Sequence, residues 1–177
     1  GTSSPSDWGW EFAHRMNVCA RTGDGNTAHE KYQLYINRRT KPNLWSNGSF
    51  QIDGNLGVVA GVDEMLLHSH EGVIKPLAAM PDAWEDGSYD GLVARGNFVI
   101  GATWEDGQAD EFRITSRNGG ECKVEYKNVA NATLKDANGN TVPFTADGDI
   151  ITFGDNQLKV LLTAGHTLGS CCYYDGN

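Results

Sequence analysis

Near Gly72 the hydrophobic period of this 177-residue chain changes, and that change decides its fold class. Upstream, apolar side chains recur three and four positions apart, as in helices with one buried stripe; downstream they alternate, as in strands with one buried face. Turn signals then follow roughly every eight to twelve residues, the rhythm of an all-β sandwich. The expected class is α+β: three helices followed by a C-terminal antiparallel β-sandwich. The boundary is expected near His70, with domains over residues 1–70 and 71–177. With 39% hydrophobic residues, a chain of this length can bury a core.

Trp8, Phe12, Met16 and Cys19, widened by Ala13 and Ala20, predict a first helix from Ser6 to about Thr22. Gly23-Asp24-Gly25 stops it, and Thr27-Ala28-His29-Glu30 has the form of a capping box that opens a second helix burying Ala28, Tyr32, Tyr35 and Ile36. A polar loop with Pro42, Trp45 and Gly48 runs from Arg38 to Asn55, a place where binding groups often sit. The third helix is expected from about Leu56, burying Val59, Val62, Met65 and Leu66 and ending before Gly72. Three such helices have too few helical partners to cover their stripes. An upstream segment, or self-association through Trp8, Phe12, Tyr32 and Tyr35, is therefore expected.

In the second half, Phe98–Trp104 and Phe112–Thr115 flank Glu105-Asp106-Gly107-Gln108, whose Asp-Gly accepts positive φ. Asn138-Gly139 does the same between Leu134 and Val142. Further strands are expected over Cys122–Tyr126, Ile150–Phe153 and Leu158–Leu162, and Gly169–Asn177 reads as a loosely held end.

Charge narrows the function. A net charge of -9 with 14 scattered lysines and arginines leaves no face to neutralise a phosphate backbone, so no nucleic-acid partner is expected. No apolar run approaches the roughly 20 residues that cross a bilayer, so no membrane partner is expected either. Cys19, Cys122 and the adjacent Cys171-Cys172 fit no metal spacing and leave the redox compartment undecided. Two histidines, His68 and His70, read as lying at the end of the third helix, where a cation suits the dipole; with no third ligand they do not make a metal site. Asp136-Ala137-Asn138-Gly139-Asn140 has the glycine of a calcium loop at the wrong position and no closing glutamate, so a plain hairpin is expected. No metal and no cofactor is expected. Asn47-Gly48-Ser49 and Asn131-Ala132-Thr133 are glycosylation acceptors only along a eukaryotic secretory route. Gly1 is not an initiating methionine, so the lack of a leader leaves location undetermined, a secreted or periplasmic parent included.

Phe50-Gln51-Ile52-Asp53-Gly54-Asn55 sets one carboxylate among amides and glycines where the third helix begins. Helix amides there favour an anion, and glycine permits close approach of backbone or ligand. Asp and Asn are also favoured helix caps, and capping is the plainer reading of the same residues.

Several blocks resemble glycoside hydrolase family 95, the inverting α-L-fucosidases. Gly9-Trp10 opens a helix; the Phe50–Asn55 block, Glu64-Met65-Leu66-Leu67-His68-Ser69-His70, Met80-Pro81-Asp82-Ala83-Trp84-Glu85-Asp86-Gly87-Ser88 and Gly91-Leu92-Val93-Ala94-Arg95-Gly96 follow in order. The resemblance runs from Trp8 to about Thr115, and nothing after Tyr126 adds to it. It implies that the chain is the end of an (α/α)6 barrel followed by a C-terminal β domain. It implies further that Asp53 is a catalytic residue working with a pair of asparagines on the attacking water, while a glutamate acts as general acid. Neither the glutamate nor the asparagine pair has a match here, the histidine-rich substrate motif expected just upstream is absent, and Leu56 stands where the family usually has an aromatic. An inverting glycosidase needs two carboxyl groups about 6.5–9.5 Å apart, so one carboxylate cannot perform the reaction. The chain alone is expected to be inactive.

Gln51, Asn55 and Trp45 are the substrate-binding candidates, Trp45 because an aromatic face suits a pyranose; barrel core is the plainer reading of the same tryptophan. The implied substrate is a fucosylated oligosaccharide, with an α-L-galactoside the close variant. From a different class, a non-catalytic β-sandwich that binds carbohydrate would use a row of Trp84, Tyr89, Trp104 and Tyr126, and a two-chain enzyme would take its barrel from another polypeptide.

Overall fold

The computed structural model describes residues 8–46, 52–127, 129–144, 150–153, 156–162 and 171–174. Three helices precede antiparallel sheets, the α+β order the period change predicts. The chain divides into two compact units, Gly1–Cys122 and Lys123–Asn177.

In the first unit, α1 (Gly9–Arg21) begins at Trp8, whose N–H donates to Glu11 Oε2 at 2.6 Å. Indole is a donor only, so this is half a capping box. It ends at Gly23, φ +79°, where the Gly23 N–H donates to Ala20 O at 3.0 Å and the Asp24 N–H to Cys19 O at 2.9 Å. This paired closure is the Schellman motif, and glycine supplies its left-handed residue. Asp24 then caps α2 (Gly25–Arg39), its Oδ1 accepting from the Thr27 N–H at 3.0 Å. The expected Thr27 cap is thus corrected: α2 begins two residues earlier, and Thr27 is the donor that Asp24 satisfies. The Thr27 side chain, and then that backbone hydrogen bond, hold the Asp24 carboxyl below the usual carboxylate range.

α3 (Ile52–Leu66) also starts earlier than expected, so Asp53 lies inside its first turn and neither Asp53 nor Asn55 stands before it as a cap. Its buried face is Gly54, Val58, Gly61 and Met65, while Val59 is 62% exposed. Glycines are the reason for the rotation. A β-carbon on Gly54 would lie 2.9 Å from the Gly9 carbonyl carbon, one on Gly57 2.8 Å from Ala13 Cβ, and one on Gly61 2.8 Å from Met16 Sδ. Asn17 of α1 stitches the seam, donating from Nδ2 to both Ala13 O and Gly57 O at 2.8 Å. Phe12 and Tyr35 pack edge to face in the resulting core with Met16 and Met65. Phe12 and Tyr35, expected to lie uncovered, are each 2% exposed. The apolar side chains left in the open are Trp8, Trp10 and Val18 of α1 and Ile52, Leu56 and Val59 of α3.

β1 (Leu67–His68) pairs with β2 (Lys75–Pro76), so α3 ends at Leu66 and the two histidines follow the helix instead of ending it. Residues 77–84 return to the helices: the Leu77 and Ala79 N–H groups donate to Leu66 O and Met65 O, and the Asn26 amide brackets Asp82. β3 (Gly87–Ala94), β4 (Phe98–Glu105) and β5 (Gln108–Ser116) form an antiparallel sheet with β4 in the centre. Asp106 and Gly107, φ +50° and +66°, make the two-residue turn expected between β4 and β5. The sheet's core is Ile74, Ala94, Phe98 and Ile100.

In the second unit, Lys135 bridges Thr141 around Gly139. Asp136 accepts from the Asn138 and Asn140 N–H groups at 2.9 Å, the hairpin expected there. β6 (Ile150–Phe153), β7 (Asn156–Leu162) and β8 (Cys171–Tyr174) form a second antiparallel sheet. Two expectations are corrected. Cys122–Tyr126 forms no strand, and the supposed loose end holds β8, paired to β7 from Leu162↔Cys171 to Lys159↔Tyr174.

Candidate functional site

Asp53 is exposed, and its Oδ1 accepts the Gly54 N–H at 2.9 Å. Gly54 is buried against Gly9, so the turn that carries the carboxylate sits directly on the backbone of α1.

Two residues on, Asn55 reaches back across the loop. Its Nδ2 donates to Leu44 O at 2.8 Å, and its Oδ1 accepts the Ser46 N–H at 3.0 Å. Between those two residues stands Trp45, 53% exposed. The loop closes on itself through Lys41 N–H to Trp45 O and Leu44 N–H to Lys41 O, both 2.8 Å, with Leu44 at φ +64°. Ser46 is 3% exposed and bridges Thr40. Below lies the Tyr35 hydroxyl, close to Ser46, although neither hydroxyl makes a hydrogen bond of good geometry. Burial raises the Tyr35 pKa; the neighbouring Ser46 opposes that shift, and the Asp53 charge adds to it. Through Asn55 the structure thus ties the loop that carries Trp45 to the turn of α3 that carries Asp53. Gln51 lies outside the described residues, as does Asn47.

Tyr35 and Ser46 are the members that sequence reasoning missed. A tyrosine on a buried helical face carries a hydroxyl that needs company, and that was the available signal. Leu56, one turn from Asp53, is 65% exposed. Of the aromatics considered for a carbohydrate face on the sheet, Trp104 is 8% exposed, its Nε1–H donating to Trp84 O at 3.0 Å, and Trp84, Tyr89 and Tyr126 are half-buried.

The far end of α3 holds the other ionisable cluster. Glu64 accepts from Arg21 Nη2 at 2.6 Å and lies 3.8 Å from His68 Nε2. Burial opposes ionisation of Glu64, but the hydrogen bond and charge of Arg21 prevail and hold its carboxyl below the usual range. His68 is buried, its Nε2 without a hydrogen bond, and its ring meets that of His70 edge to face at 5.1 Å. Burial pushes the His68 pKa down, partly offset by Glu64. Beside this cluster a groove of about 510 Å³ runs between Asp63 and Glu64 of α3 and Leu92–Arg95 of the sheet. Among the described residues no three His, Cys, Asp or Glu side chains are placed to hold a metal ion, and no helix is long and apolar enough to cross a membrane.

Residues 4–66 match the family model described as the glycosyl hydrolase family 95 catalytic domain, and residues 68–160 match that of the glycoside hydrolase family 95 C-terminal domain. The chain belongs to glycoside hydrolase family 95. It is 36% identical over 156 residues to alpha-L-fucosidase 2 of Arabidopsis thaliana, covering 86% of this chain and 17% of that protein. It is 30% identical over 145 residues to a protein named probable alpha-fucosidase A in Aspergillus oryzae, covering 71% of this chain and 20% of that protein. It thus spans about a fifth of the length of these curated relatives. A stretch of 28 residues is 54% identical to hydroxyacylglutathione hydrolase of Maricaulis maris, covering 16% of this chain and 11% of that protein. Within the family 95 match, Asp53 falls in the portion aligned with the catalytic domain and β1 opens the portion aligned with the C-terminal domain.

Proposed function

We propose that these residues form the C-terminal part of an inverting α-L-fucosidase in which Asp53 serves the water side of the reaction. The observation that carries this reading is the arrangement at the start of α3: an exposed carboxylate on a helix's first turn, to which Asn55 ties the loop that carries a half-exposed tryptophan. Membership of family 95 and the names of the two relatives supply the substrate class, a fucosylated oligosaccharide.

On this reading residues 1–70 close the catalytic barrel and residues 71–177 are the C-terminal β domain. Asp53 orients and charges the group that takes a proton from water as that water attacks the anomeric carbon. The bond to the leaving oxygen breaks on the opposite face, with a proton delivered by a general acid outside these residues. Trp45 offers a flat face to the sugar, and Gln51 and Asn55, two positions to either side of Asp53 in the sequence, are its further substrate-binding candidates. Residues 1–177 alone are inactive, because the acid half is absent. Trp10, Val18, Leu56 and Val59 then meet the remaining barrel, which an isolated chain would replace with a second copy of itself.

Proton NMR of the reaction tests this reading. The full-length protein, given an aryl α-L-fucoside, is expected to release β-L-fucose first, with the α anomer appearing only by mutarotation. α-L-Fucose as the first product, or hydrolysis of the α-L-galactoside alone, overturns it.

A further inference from the structure

We infer that Asn55 is a positioning residue whose side-chain amide fixes where the Trp45 loop stands relative to the helical turn that carries Asp53. This rests on the proposed function for what Trp45 does, but the clamp itself rests on geometry. Nδ2 holds the carbonyl of the residue before Trp45, and Oδ1 holds the N–H of the residue after it, at 2.8 and 3.0 Å. One amide therefore brackets the tryptophan from both sides and ties it to the helical turn that carries Asp53.

Only a carboxamide of this length can do so. Aspartate keeps the acceptor and loses the donor, glutamine adds a methylene, and alanine loses both. At the tip of the loop Leu44 is 62% and Trp45 53% exposed, so apolar burial contributes little there, while Ser46 at its end is buried and bridges Thr40. Its internal bonds, Lys41 N–H to Trp45 O and Leu44 N–H to Lys41 O, shape the turn but do not attach it to α3. Asn43 Oδ1 accepts the Trp45 N–H at 3.2 Å, again within the loop. The side-chain link to the Asp53 turn is Asn55. Release of the clamp therefore frees the loop from that turn while the carboxylate keeps its own bond from the Gly54 N–H.

The test uses Asn55→Ala, Asn55→Asp, Trp45→Ala and the double variant in the full-length protein. Hydrogen exchange at the Ser46 amide reads the clamp, 19F NMR of fluorotryptophan-labelled protein reads the Trp45 environment, and steady-state kinetics read its use. In Asn55→Ala the Ser46 amide is expected to exchange at least about tenfold faster and the Trp45 resonance to narrow toward its free position, consistent with loss of local protection. KM for the fucoside should rise about tenfold with kcat within about threefold, as for a lost ground-state contact. Trp45→Ala should reproduce that KM, and the double variant should add less than about twofold, because the two residues act as one unit. Asn55→Asp, which keeps the Ser46 bond, should fall between wild type and Asn55→Ala and serves if the alanine variant does not fold. Unchanged Ser46 exchange, an unmoved Trp45 resonance, or multiplying KM effects overturn the inference. If the wild type hydrolyses no fucoside, the proposed function fails, and the exchange and NMR readouts alone still decide whether Asn55 clamps Trp45.

Discussion

The two ends of α3 carry carboxylates with opposite fates. Asp53, at the N-terminal end, is exposed and accepts one hydrogen bond, from its neighbour's N–H, among the described residues. Glu64, at the C-terminal end, is held by Arg21 at 2.6 Å and faces the buried His68 at 3.8 Å. A carboxylate whose charge is matched by a guanidinium is a joint between elements. One held only by backbone amides keeps its charge for a ligand or a proton. The pair teaches that the number of carboxylates on a helix says little about function; what each has already been matched with says more.

The sharpest way to break this comparison is to remove both charges in turn. In the full-length protein, Asp53→Asn is expected to lower kcat by about a hundred- to ten-thousand-fold, the usual contribution of general-base assistance, with a melting temperature near wild type. Glu64→Gln is expected to do the reverse, leaving kcat within about threefold and costing roughly 1 kcal/mol in denaturant unfolding as a lost charged hydrogen bond. Equal kinetic losses in the two variants would erase the distinction.

A smaller effect separates the glycines that seat the two ends. Gly54→Ala drives a β-carbon against the backbone of Gly9, whereas Gly61→Ala meets the flexible end of Met16. Overpacking against backbone should cost roughly 1–3 kcal/mol, with Gly61→Ala clearly below Gly54→Ala in the same denaturation series. A reversed order would mean that α1 gives way more readily at Gly9 than the seam implies.

The smallest effect concerns acid. Because burial depresses the folded pKa of His68, the unfolded chain binds that proton more readily. The stability tied to neutral His68 is complete above its unfolded pKa of about 6.5 and is lost as pH falls below it. Glu64, also depressed, acts with the same sign at lower pH, and Asp63, raised by burial and by Glu64, acts with the opposite sign. Arg21, His70, Glu71 and Lys75 complete the charged surroundings among the described residues. Melting curves at pH 7 and pH 5 should therefore show a larger loss in wild type than in His68→Gln. A parallel loss in both assigns the acid sensitivity elsewhere.

The order of elements was readable because its signals are local. Gly23-Asp24-Gly25 marks the end of α1 through a closure that needs glycine, and Asp106-Gly107 marks a two-residue turn. The face of α3 was not readable from hydrophobicity. Its buried side is built from Gly54, Gly57 and Gly61, which carry no hydrophobic signal, so Val59 stood in for Val58. Gly54 read as a residue that permits close approach of backbone, and it is the contact that lets the helix sit on α1. β3 went unseen because Gly87, Ser88 and Asp90 interrupt its alternation, and β8 because its partner lies in β7. At the site, Asp53 was found from its block. The bracket that Asn55 makes around Trp45 joins side chain to backbone over nine and eleven residues and follows no periodicity.

The central claim is that Asp53 supplies what the attacking nucleophile lacks, and azide rescue measures it most directly. Asp53→Ala in the full-length protein should hydrolyse an aryl α-L-fucoside slowly, and added azide should raise the rate by attacking the anomeric carbon as the aryl oxide departs. The product expected is the β-L-fucosyl azide, with inversion. A variant that keeps more than about a tenth of the wild-type rate, less than the smallest loss expected of a general base, and is indifferent to azide, would show that Asp53 only shapes the start of α3.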